Sequence, residues 1–449
     1  MPLWFETALL PQGWTSCVRV RLANGRITQI ETAVQPDPTD EQHAIGIPGL
    51  ANVHSHGFQR GMAGLAEVRG PLHDNFWTWR EVMYRFVNRL QPEQIEAITA
   101  QAYVEMLESG FTRVGEFHYL HHDVSGAPYA NLAEMADRIA AAADATGIGL
   151  TLLPVFYAHS NFGGAPPKAG QRRFINTPEQ FGELMKLSRK AVAALPDAQV
   201  GIAPHSLRAV TPDELNAILP LADGSPIHIH AAEQMKEVDD CRAWSGKRPL
   251  QWLLDNTEMD AAWCVIHATH LTPAEVSQLA KSAAVAGLCP MTEANLGDGI
   301  FRTQEYLSSG GRIAVGTDSN VQIHAAAELR SLEYAQRLIS RTRNVLARAE
   351  GESVGRHLFE ATLAGGAQAL GQAESGLREG APADLVSLDA NDPHLVARKE
   401  DAILDSWIFA NAEVDCVWRA GRKVVEAGRH IARDSVAAAY AKAIESVLN

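Results

Sequence analysis

His54-Ser55-His56 sets two imidazoles two residues apart inside a run, 48–56, that reads as a buried strand. Side chains alternate across a strand, so both rings leave on the same side and two nitrogens converge on one point. Taken alone, the pair reads as well as two polar residues at a strand edge. His230 and Asp318 stand at the ends of two other strand-like runs and supply a third nitrogen and a carboxylate oxygen. Three His and one Asp leave a coordination position for water, the arrangement of a catalytic metal and not of a closed structural one. One Zn2+ per subunit is the first choice, and Fe2+ or Mn2+ also suit these ligand types.

Glu233 lies three residues beyond His230. A carboxyl there is placed to shuttle protons to a substrate nitrogen; the alternative is a surface acid opening the next helix, where the dipole favours it. His267, in His267-Ala268-Thr269-His270, either supports the site or acts on the substrate directly. His270 fits a structural role better, and His121, His122 and His159 fall in loops without an assignable one.

These residues need elements to hold them. Eight short apolar runs bounded by turn or cap residues read as buried strands: 48–56, 111–120, 148–157, 199–207, 225–233, 261–270, 284–293 and 312–320. Helical periodicity fills most gaps: Glu93 to Ser109 stops at Gly110 and Asn131 to Thr146 at Gly147, while Thr211-Pro212 and Thr272-Pro273 are N-cap and first-turn pairs. Eight β/α units predict a (β/α)8 TIM barrel, α/β in class, with a doubly wound open sheet as the rival. His54, His56, His118, His205, His230, His267 and Asp318 then all fall at strand ends around one mouth, where barrel active sites are built. Thirteen of the 17 histidines lie between residues 51 and 330. Both termini look β-rich, with a hairpin signal at Asn24-Gly25 and strand patterns at 383–388 and 414–426, so the ends pair into one small sheet domain. The expected division is 1–46 and 376–449 for that domain and 47–375 for the barrel.

Composition narrows the partners. With 39 Lys and Arg against 53 Asp and Glu, the formal net charge is −14, and no basic run appears, which excludes nucleic acid held by its backbone. No stretch reaches the roughly 18–20 apolar residues of a membrane span. The five cysteines are widely spaced, with no CxxC pair, and the first residues lack a basic leader. A cytoplasmic location with reduced thiols is expected.

His54-x-His56 after Pro48-Gly49, His205, His230-x-x-Glu233, His267 and Gly316-Thr317-Asp318-Ser319 resemble the amidohydrolase superfamily along the whole barrel. The resemblance implies a β-sandwich built from both termini. Val155 to Ser160 and Gly201 to Arg208 contain no Lys that could bridge two metals, which points to one metal and to the aminohydrolase branch. The run from His54 to Gly64, Trp77-Thr78-Trp79-Arg80, Glu116 to His122 and Ala203 to Arg208 look like the N-formimino-L-glutamate deiminases of histidine degradation. Ala is common in that family where Gly57 stands, a small departure.

That resemblance implies a dicarboxylate substrate carrying a cationic amidine, with Arg80, Tyr119 and Arg208 on the carboxylates and Gln59 and His205 near the formimino end. Arginine forks match carboxylates. The long segment from Phe58 to Leu90 is placed to close over the ligand. Hydrolysis would have Asp318 accept a proton from water, Glu233 serve the substrate nitrogen and His267 stabilise the attacking oxygen. A homodimer is the family expectation. The alternatives are a guanine, cytosine or S-adenosylhomocysteine deaminase, a triazine hydrolase, or an inactive barrel scaffold.

Overall fold

The computed structural model describes residues 2–70 and 73–449. Among them, eight parallel strands make the barrel: Leu50–Ser55, Phe111–His118, Gly149–Phe156, Gln199–Val200 continued by Ala203–Pro204, Ile227–Ala231, Trp263–His267, Val285–Leu288 and Arg312–Val315. The second and third strands are buried at every position, because helices cover them outside and side chains fill the barrel inside. This is why the third reads as a nearly unbroken apolar run, while the second carries Arg113 and Glu116 into the interior. The fourth run, expected as one strand, is split. A Cβ at Gly201 would overlap the Pro226 carbonyl, and Ile202 leaves its earlier neighbour to bridge to Ile227.

The strands pair in two sets of four, and short bridges close them into a ring. The closure between the first and eighth strands is polar and fully buried. Asn52 donates to Thr317 Oγ1 at 2.6 Å and accepts from the Thr317 amide at 3.1 Å. The amides of Thr317 and Asp318 both donate to the His54 carbonyl, at 3.0 and 2.9 Å, and the His56 amide returns a bond to the Asp318 carbonyl at 3.0 Å. Asn320 completes the seam through Ser55 Oγ and the His56 carbonyl.

Helices begin where sequence signals place them. Thr177, Thr211 and Thr272 each accept the amide of the residue three on, and Gln180, Glu214 and Glu275 reach back to the cap, with Pro at the first turn.

The two termini form one eight-stranded sheet, in the order Arg429–His430, Arg422–Glu426, Val414–Arg419, Leu385–Leu388, Glu41–Pro48, Pro2–Leu10, Gly13–Ala23 and Arg26–Glu31. It curls until Ile27 exchanges backbone bonds with Gly380 and Ala381, which encloses Phe5, Val18, Ile27, Leu385 and Trp418 in a core of their own. The C-terminal segment also supplies two helices that pack on the barrel. Ala443 and Val447 of Arg433–Leu448 join the core around Ile98, and Trp407 of Asp401–Ala410 packs against Phe359. Their apolar residues face barrel helices, so the C-terminal residues divide between both bodies.

Gly365, inside the helix Val354–Ala369, lies so close to the last strand that a Cβ would overlap the Ile313 carbonyl. Ala normally improves a helix interior over Gly by about 1 kcal/mol. Here overpacking reverses the sign, and Gly365→Ala is expected to destabilise by about 1–3 kcal/mol. A thermal midpoint at or above that of the unmodified protein would refute this.

Candidate active site

The first strand ends at Ser55, and its alternation turns the buried rings of His54 and His56 to one side. His54 Nε2 lies 3.1 Å from His230 Nε2, and Asp318 Oδ1 lies 3.5 and 3.2 Å from the Nε2 atoms of His54 and His56. All four ligand atoms fall within 4.8 Å of one another. His56 Nδ1 faces the Phe117 carbonyl at 2.8 Å and His230 Nδ1 the His205 carbonyl at 3.0 Å. A carbonyl only accepts, so both rings carry their proton on Nδ1 and present a bare Nε2. Burial pushes the His54 pKa down to about 3, beyond what Asp318 offsets. Burial would raise the Asp318 carboxyl, yet the neighbouring His54 and His56 hold it well below the usual carboxylate range. Neutral imidazoles and an ionised carboxylate crowded at one buried point fit a divalent cation.

Glu233 lies beyond the fifth strand, just past Ala232 at φ +55°. Glu237, fully buried, accepts the amides of Ala232 and Glu233 at 3.1 and 3.0 Å and holds that turn. Glu233 Oε1 is 3.9 Å from His267 Nε2, and Oε2 is 3.4 Å from Arg208 Nη2. Burial raises the Glu233 pKa against the pull of His267 and Arg208. His267 Nε2 also faces Asp318 Oδ2 at 3.7 Å, while its Nδ1 meets Glu293 at 3.2 Å. Burial opposes a charge on His267, but Glu293, Glu233 and Asp318 together lift its pKa to about 10. His267 and Asp318 sit at φ +65° and +44°, left-handed values that ordinary side chains adopt only where the surroundings enforce them.

A cavity opens above this cluster. One wall is the helix Phe76–Val87, which presents Phe76, Trp79, Arg80, Met83 and Tyr84 on a single face at i, i+3, i+4, i+7 and i+8. The Arg80 guanidinium stacks 4.5 Å above the Trp77 ring, and Arg208 lies 5.8 Å from the same ring. The Nε atoms of both arginines are buried without a partner, as is Gln59 Oε1. Gln59 Nε2 donates to Tyr119 Oη at 2.8 Å, and Tyr119 packs edge-on to His56. His205, 4.9 Å from the His230 ring, is kept neutral by burial and by Arg208.

The structure therefore brings His54, His56, His230, Asp318, Glu233, His267, Gln59, Arg80, Tyr119, His205 and Arg208 to one pocket or its floor. His118 instead turns toward His121. His121 and His122 bond the Val155 and Ile175 carbonyls, His159 pairs with Glu214, and His270 borders a separate surface hollow. The Phe58 to Leu90 segment forms a short 3-10 turn, Gly57–Met62, and the cavity-facing helix, while Pro71 and Leu72 lie outside the described residues.

Residues 45–424 match the amidohydrolase family, and residues 4–44 match the N-terminal domain of formimidoylglutamate deiminase HutF. Formimidoylglutamate deiminase of Pseudomonas aeruginosa is 51% identical over 451 residues, which cover 100% of this chain and 99% of that protein. The chain belongs to the amidohydrolase family. Its resemblance to the formimidoylglutamate deiminases, read from the motifs, is borne out by both matches. The 5-methylthioadenosine/S-adenosylhomocysteine deaminase of Natronomonas pharaonis is more distant, 28% identical over 81% of this chain and 78% of its own. A crystal structure of an amidohydrolase from Brucella melitensis superposes with a TM-score of 0.97 at 56% identity, both chains covered in full. Zinc-bound atrazine chlorohydrolase from Arthrobacter aurescens shares the fold, with a TM-score of 0.83 at 18% identity over 98% of this chain and 100% of its own.

In this amidohydrolase, sequence reasoning missed Tyr84, Tyr157, Glu237 and Glu293. Tyr157 ends the run 148–157, where the strand-end rule that found the histidines also points, whereas Glu293 closes the expected run 284–293 but stands in the helix Pro290–Leu296, past a strand that stops at Leu288. The helix wall was legible as an apolar stripe at 76, 79, 83 and 84 with Arg80 inside it. Asn75 caps that helix, accepting from the Trp77 and Thr78 amides at 2.9 and 3.4 Å while Thr78 Oγ1 accepts from the Asn75 amide. Asn75→Ala is expected to cost about 1 kcal/mol of local helix stability, read as faster deuterium exchange at residues 77–80. Unchanged exchange there would contradict the capping role.

Proposed function

We propose that this amidohydrolase hydrolyses N-formimino-L-glutamate to N-formyl-L-glutamate and ammonia in histidine degradation. The observation that carries the reading is a pair of arginines, Arg208 buried and Arg80 half-buried, each with a buried and unpartnered Nε, walled into the same cavity as the His and Asp cluster. A buried guanidinium nitrogen without a partner is costly unless a ligand supplies an acceptor. Two carboxylates supply two, in bidentate geometry. A purine or triazine ring has no use for two such cations. The name of the Pseudomonas relative supports the same substrate.

His54, His56, His230 and Asp318 are the proposed holders of one Zn2+ per subunit. Such an ion lowers the pKa of water so that a hydroxide nucleophile exists near neutral pH. Around it the chain's own groups act. Asp318 accepts a proton from the attacking water. Glu233, buried and with its affinity for a proton raised, passes a proton to the departing nitrogen. His267, held by Glu293 on its far side, points Nε2 at the developing oxyanion. Water's oxygen replaces the terminal nitrogen on the formimino carbon, and the protons leave with ammonia. Gln59 and His205 border the formimino group, and Arg80, Tyr119 and Arg208 take the carboxylates. A homodimer in the cytoplasm is part of the proposal. No helix among the described residues is long and apolar enough to cross a membrane.

The test is ammonia release from N-formimino-L-glutamate set beside guanine, cytosine and S-adenosylhomocysteine. Turnover of a ring compound with none of the formimino substrate would overturn the assignment. His230→Ala is expected to lose bound metal, measured by elemental analysis, and to lower kcat by at least about a thousandfold. Full activity with normal metal content would remove His230 from the ligand set. Arg80→Met and Arg208→Met are each expected to raise KM by about tenfold or more, the worth of a charged hydrogen bond.

A further inference from the structure

Tyr157 has a hydroxyl whose direction the protein dictates but whose proton it does not use. Gln171 is fully buried, and its Oε1 accepts the Lys168 amide at 2.7 Å. That bond fixes which way round the carboxamide lies and commits Nε2 to the Tyr157 oxygen, also at 2.7 Å. A hydroxyl that accepts from an amide N–H must donate its own proton elsewhere. Among the described residues no acceptor is bonded to it. Tyr157 lines the same cavity as Arg80 and Arg208, and its ring packs edge-on to His205 at 4.6 Å and against Phe174.

We propose that Tyr157 is a specificity-determining residue that donates to one carboxylate of the substrate beside Arg208, and that Gln171 is the positioning residue that aims it. This rests on the dicarboxylate reading of the site. The amidine end of such a substrate is a cation with only N–H donors, so a committed O–H donor cannot serve it. An anionic oxygen is the complementary partner, and the bond is charge-assisted. A site built around such a donor discriminates strongly against analogues that lack its acceptor.

The test uses the full-length, metal-loaded enzyme. Tyr157→Phe keeps the ring and its packing. It is expected to raise KM for N-formimino-L-glutamate about ten- to hundredfold, with kcat within about threefold of the unmodified enzyme and metal content unchanged. Gln171→Glu offers Tyr157 an acceptor in place of a donor, turns its proton away from the cavity, and should move KM in the same direction. Two monocarboxylate analogues, N-formimino-4-aminobutyrate and N-formimino-L-norvaline, locate the contact: the Tyr157→Phe penalty should vanish against one of them. An equal penalty on all three compounds, or an unchanged KM, overturns the proposal and leaves the reaction assignment standing. Should the unmodified enzyme not turn over the formimino compound, it is the assignment that fails. Calorimetric affinity for glutarate then decides about Tyr157, which stands if Tyr157→Phe weakens binding by a similar factor and falls if it does not.

Discussion

The seam between the first and eighth barrel strands is what the rest of the site depends on. Asn52, Thr317 and Asn320 stitch it with buried side-chain bonds, and the backbone of His54 and His56 trades bonds with that of Thr317 and Asp318. Closing the barrel and bringing the Asp318 carboxylate against two imidazoles are one event. The side chains of Asn52, Thr317 and Asn320 all find partners there, which a low-dielectric interior demands. Asp318 meets this demand only at φ +44°, a conformation the surrounding bonds enforce.

A second layer of fixed partners tunes what the seam assembles. Backbone carbonyls of Phe117 and His205 settle which nitrogen of His56 and His230 is bare. Glu237 pins the backbone on which Glu233 rides, and Glu293 holds the far side of His267. Carboxylates in this region therefore divide into two kinds: Glu237 and Glu293 are spent on structure, while Glu233 and Asp318 Oδ2 face the cavity.

Charge is arranged against the global balance. The chain carries −14 overall, yet the cavity wall holds Arg80 and Arg208 stacked about Trp77. Stacking lets a guanidinium be partly desolvated while its hydrogen-bonding edge stays available. Long-range repulsion of an anion from an acidic exterior is screened over about 8 Å at physiological salt, so the charges that matter at the pocket are local ones, Arg80 and Arg208 among them.

The sequence by itself determined the barrel, its eight strand positions, the helix caps and the cluster of His54, His56, His230 and Asp318. These follow from local rules: alternation along a strand, Thr-Pro starts, and the placement of barrel sites at strand ends. It also determined that both termini form sheet, though not that two C-terminal helices would pack on the barrel. Only the tertiary structure decided which polar residues face the cavity. Whether Arg80 is a solvated helix charge or a pocket wall depends on how the helix Phe76–Val87 docks, and that angle is set by apolar contacts from distant parts of the chain. The direction of the Tyr157 proton likewise depends on Gln171 and Lys168 from a loop after the third strand. Periodicity records which side of an element is apolar; what that side meets is settled when remote segments pack.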